Sequence, residues 1–135
     1  MNAPATLKRP RAVGVASVAT LEDLSAIREP GCAAAIWDRD LPAHMTGWLA
    51  ALAPDEMPKG RATLRPAQTR DTVEALLDQA GAPAGPGREL FADDVAAMAV
   101  GFAAVCGAPY LRMRLQAVTG NACRKFHLDV VEQRL

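Results

Sequence analysis

Two residues near the end of the chain have the types and spacing to hold a metal ion: His127 and Asp129, within CRKFHLD at 123–129. A neutral imidazole and a carboxylate both ligate Fe(II) and Zn(II). An H-x-D pair on one strand, joined by a second histidine, gives the facial triad that leaves positions on Fe(II) open for a cosubstrate and oxygen. Strand side chains alternate with a period of two, so His127 and Asp129 would project together from the face opposite Phe126, Leu128 and Val130. Their Cα atoms would stand roughly 6.5 Å apart, close enough for both groups to reach one ion. Cys123 would sit roughly 13 Å from His127 along an extended strand, beyond shared ligation. The plainer reading of the same spacing is a surface His-Asp pair that only satisfies hydrogen bonds. The other histidine, His44, falls far upstream on a predicted helix and reads as a surface residue, so a completing histidine is expected from sequence beyond Leu135.

Other constellations are weaker. Arg112 and Arg114 share the polar side of a predicted strand and could grip a carboxylate bidentately, as an oxoacid cosubstrate would need; solvated or paired surface arginines are the commoner occupants of such positions. Ser17 and Ser25 are the only serines, and neither has a His-Asp arrangement around it that would make a nucleophile. GAPAGPG, at 81–87, has no lysine and no preceding strand, so it is a linker and not a phosphate loop. Cys32, Cys106 and Cys123 are odd in number and lack any CxxC spacing, which argues for reduced thiols and against a zinc ribbon.

The elements that must position these groups follow from periodicity and punctuation. Residues 1–11 carry two prolines and no apolar period, and are expected to be a mobile arm. Thr20 followed by Asp23 predicts the start of a short helix with Leu21, Leu24 and Ile27 on one face, closed by Pro30-Gly31. CAAAIWDR has strand length, although its alanines would also suit a helix. Pro42 opens a helix carrying Met45, Trp48, Leu49 and Leu52, and Pro54 closes it. RATLRP can form a short strand, TRDTVEALLDQAG a helix ended by Gly81, and 88–106 the longest helix, stopped by Gly107 and Pro109. YLRMRLQAV alternates strictly and is the clearest strand; TGNA then predicts a turn and RKFHLDVV the second arm of a hairpin.

At 135 residues the chain fits one domain, read as 12–135 after the arm. Fifteen basic and fifteen acidic residues leave no net charge, so no nucleic-acid or membrane partner is expected, and a small-molecule substrate suits the metal reading better. The longest apolar run, at 95–106, is short of the roughly 20 residues a bilayer requires, and no cleavable leader is evident, which predicts a soluble, cytoplasmic protein.

The segment from Tyr110 to Leu135, with LRMRLQAVTGNACRKFHLDVVEQRL at its heart, together with AIWDRDLP and the long alanine-rich helix, resembles an uncharacterised bacterial family known as domain of unknown function eighteen twenty-six. The resemblance covers most of the chain and rests chiefly on the cysteine, the Phe-His-x-Asp block and the Arg134-Leu135 pair. It implies a continuation with Thr-Tyr and Gly-Pro-Gly-Thr that this sequence lacks, hence a C-terminally truncated member. The block is similar to the first ligand strand of double-stranded β-helix oxygenases. The expected fold is α+β, helices packed on a small antiparallel sheet that could begin a jelly-roll or cupin-like domain. The expected function is metal binding through His127 and Asp129, with Fe(II) and oxygenase chemistry or Zn without catalysis; the alternative is a non-enzymatic structural or interaction domain.

Overall fold

Helical punctuation and β alternation together produce a mixed helix and strand protein of α+β type. The computed structural model describes residues 13–120, so the 1–11 arm and the strand predicted over 124–131, with His127 and Asp129 on it, lie outside the described residues. The chain divides between Arg39 and Asp40 into two compact units.

In the first unit, β1 (Gly14–Val18) and β2 (Cys32–Trp37) form a parallel ladder, with a 3₁₀ segment over Glu22–Arg28 crossing between them. The Thr20 hydroxyl accepts the Asp23 N–H at 3.2 Å, as its spacing predicted. Pro30 holds Glu29 extended and stops the segment after seven residues, so the predicted helix forms as a 3₁₀ turn. The strand expected in CAAAIWDR is β2; its partner β1 was not anticipated. The Arg39 guanidinium lies 4.5 Å from the centre of the Trp37 ring.

The second unit holds α1 (Ala43–Ala51), β3 (Gly60–Leu64), α2 (Thr69–Ala80), α3 (Pro86–Cys106) and β4 (Leu111–Leu115), with 3₁₀ turns before β3 and α2. Gly81 and Gly107 end α2 and α3 in the left-handed region, where a Cβ would be strained. Val73 and Leu77, one stripe of α2, are fully buried and join Leu52, Ala82 and Ala92 in the core. Each of the two is worth about 1.5–3 kcal/mol of burial. The large apolar residues predicted for α3 pack only partly buried, and its most enclosed apolar positions are Ala92 and Ala103. The α1–α3 crossing shows why small residues matter there. A Cβ at Gly87 would clash with Trp48 Cβ and the His44 carbonyl, so glycine lets the helices meet. Trp48 Nε1 donates to the Pro83 carbonyl at 2.9 Å and its ring lies 5.8 Å from that of Phe91.

The antiparallel sheet is made by β3 and β4, in register from Gly60↔Leu115 to Leu64↔Leu111. Met113 and Leu115 turn toward the core cluster, and Leu64 is buried. Among the described residues β4 pairs only with β3, so the predicted hairpin with 124–131 would use the other edge of β4.

Candidate functional site

The predicted alternation of YLRMRLQAV is realised: in β4 Leu111, Met113 and Leu115 are half-buried, whereas Arg112 and Arg114 are exposed. β3 repeats the pattern with Arg61 and Thr63 exposed and Leu64 buried. Residues directly opposite on antiparallel strands share a face, so the register sets Arg61 beside Arg114 and Thr63 beside Arg112. Arg61 and Arg114 therefore have Cβ atoms about 5 Å apart, with Arg112 about 7 Å from each. One further step along the sheet, Arg65 donates from Nη2 to the Tyr110 hydroxyl at 2.9 Å and stacks 5.0 Å from its ring centre. Neither strand carries a carboxylate, and among the described residues Arg61, Arg112 and Arg114 make no ion pair.

A second set of arginines lies between α2 and α3. Arg88, 8 % exposed, donates to the Ala82 carbonyl at 2.8 Å, to Glu74 at 2.8 Å and to Asp78 at 2.5 Å. Arg70 bonds Glu89 at 2.6 Å and Asp93 at 2.8 Å, and its Nη1 lies 3.5 Å from Glu74. The hydrogen bonds that Arg70 donates to Asp93 and then to Glu89 raise its pKa. Glu74 and then Asp78 raise that of Arg88 against the opposing effect of burial. These guanidinium groups are occupied and act as a crosslink between helices. The sequence shows only the i,i+4 Arg70–Glu74 spacing; the links from Arg70 and Arg88 across to the neighbouring helix depend on packing.

A cavity of about 270 Å³, open to solvent, is lined by Pro42, Met45, Leu90, Asp93, Asp94 and Ala97. Asp93 is already engaged by Arg70. No group of three or more His, Cys, Asp or Glu among the described residues could hold a metal. His44 is exposed, as expected. Neither Cys32 nor Cys106 is in a disulfide, and the Cys32 thiol donates to the Ala34 carbonyl at 3.2 Å. No helix among the described residues is long and apolar enough to cross a membrane.

Arg61 is the functional candidate that reasoning from the sequence missed. Its strand was foreseen, but only the β3–β4 register brings it beside Arg114. No curated protein and no solved structure matches the chain. The family model described as "Protein of unknown function (DUF1826)" matches residues 19–135, nearly the whole chain, which therefore belongs to that family.

Proposed function

We propose that the protein is a metal-binding domain in which His127 and Asp129 are two ligands of one ion, with Fe(II) and oxygenase-type chemistry as the first assignment and non-catalytic Zn as the second. The observation that carries the reading is the H-x-D spacing within a strictly alternating segment shortly after β4. Support comes from β4 itself, which alternates buried and exposed residues and, among the described residues, has only β3 as a neighbour. A strand over 124–130 added to the other edge would extend the sheet toward a jelly-roll and present imidazole and carboxylate from one face. When bound, Fe(II) would supply oxygen activation. The contribution of the chain would be to fix two ligands on a rigid strand and leave the remaining positions open.

A non-enzymatic interaction domain is the competing reading. Val13, Val15 and Ile36 favour it, standing 83 %, 61 % and 51 % exposed on or beside the β1–β2 ladder. Metal analysis of protein expressed from its complete reading frame separates the two. Wild type should carry close to one iron or zinc per chain, and His127→Ala or Asp129→Ala should lose it. Equal metal content in wild type and both variants would leave the interaction domain as the answer.

A further inference from the structure

We propose that the exposed face of the β3–β4 sheet binds a small dianion, a phosphate monoester or a dicarboxylate, through Arg61, Arg112 and Arg114 with the Thr63 hydroxyl at the fourth corner. The register sets Arg61 directly across from Arg114 and Thr63 directly across from Arg112, so these four side chains emerge from one face as a compact quadrilateral. All four are exposed. Like charges directly opposite one another destabilise a sheet, and here no carboxylate on either strand offsets them. An anion seated among the guanidinium groups removes that repulsion and accepts charge-assisted, bidentate hydrogen bonds from their planar forks. The strands fix the spacing before the ligand arrives, which limits the entropy lost on binding.

On the helices of this unit the arginines are instead paired with acids. α2 and α3 carry six carboxylates against two arginines, and both of those arginines are ion-paired. Arg65 is held by Tyr110 and borders the patch. An extended polyanion fits less well, because the patch is only about 7 Å across and the acidic helices belong to the same compact unit. The proposal uses neither His127 nor Asp129, since its four side chains lie within the described sheet and its test excludes metal.

The test is a titration of the full chain in EDTA with inorganic phosphate, succinate and, as a monoanion control, acetate, followed by backbone amide shifts and by thermal midpoint. Saturable shifts at residues 61–64 and 111–115 with phosphate or succinate, and not with acetate, are expected; which of the two binds tighter identifies the ligand class. Arg61→Gln, Arg112→Gln and Arg114→Gln should each weaken binding about tenfold, the loss of one charge-assisted contact. Arg28→Gln, an exposed arginine of the first unit, should leave it unchanged. Unliganded Arg61→Gln should melt no lower than wild type, which a merely structural arginine would not allow. Absence of saturable binding, an equal loss in Arg28→Gln, or tighter binding of a 12-nucleotide RNA that phosphate does not displace would overturn the proposal.

Discussion

Arg88 and Arg112 belong to the same compact unit, and their surroundings differ in nearly every respect. Arg88 is buried between α2 and α3 with two carboxylates and a carbonyl on its donors. Arg112 stands on an exposed sheet face with Arg61 and Arg114 as its neighbours and, among the described residues, no acid paired to it. A guanidinium that is saturated from within stabilises a fold; one surrounded by its own kind costs stability until something from outside neutralises it. Four carboxylates of the helices, Glu74, Asp78, Glu89 and Asp93, pair with Arg70 and Arg88, whereas β3 and β4 carry none. That division locates a binding role at the strands and a structural role at the helices.

Loss of the buried guanidinium has the largest expected effect. Arg88→Met should destabilise the protein by about 3 kcal/mol in chemical denaturation, because Glu74, itself only 25 % exposed at the side chain, loses its closest partner. A change within a few tenths of zero would remove the structural role. Arg70→Gln should cost clearly less, since its partners Glu89 and Asp93 are 60 % and 62 % exposed, and the cost should shrink in high salt. In the absence of ligand, Arg61→Gln should be neutral or stabilise by a few tenths of a kcal/mol, the reverse of the helical arginines. The smallest expected effect is a null result with pH. Arg88 has a raised pKa, so its contribution is complete below the ordinary guanidinium value and is lost only as pH climbs through the still higher folded value. The stability difference between wild type and Arg88→Met should therefore stay constant from pH 6 to pH 10, and a slope across that window would assign the effect to another group.

Much of the helical framework was legible because its signals are local. Val73 and Leu77 repeat at helical spacing, and Gly81 and Gly107 mark the ends of α2 and α3. Met45, Trp48 and Leu49 of α1, with Leu52 just after it, pack inward. The strands were read less completely. GVASV is built of small residues without strong alternation, and its partner β2 is parallel and reached only through a crossover, so nothing near β1 announces pairing. For β4 the sequence pointed to a local hairpin with 124–131, whereas the described partner, β3, comes before α2 and α3. Local patterns cannot weigh a pairing that distant. The same limit hid the third arginine of the patch: Arg112 and Arg114 share a face by alternation alone, but Arg61 joins them only through register. The H-x-D pair is the opposite case, since spacing proposes it and its segment lies outside the described residues.

If both readings hold, metal and dianion have separate side chains, and one variant of each kind distinguishes them. The most direct measurement is Zn(II) affinity by competition with a chromophoric chelator, using protein from the complete reading frame as wild type, His127→Ala and Arg112→Gln. Removal of a ligand should weaken binding by about a hundredfold or more in His127→Ala and leave Arg112→Gln equal to wild type. Indistinguishable affinities in wild type and His127→Ala would contradict the metal assignment.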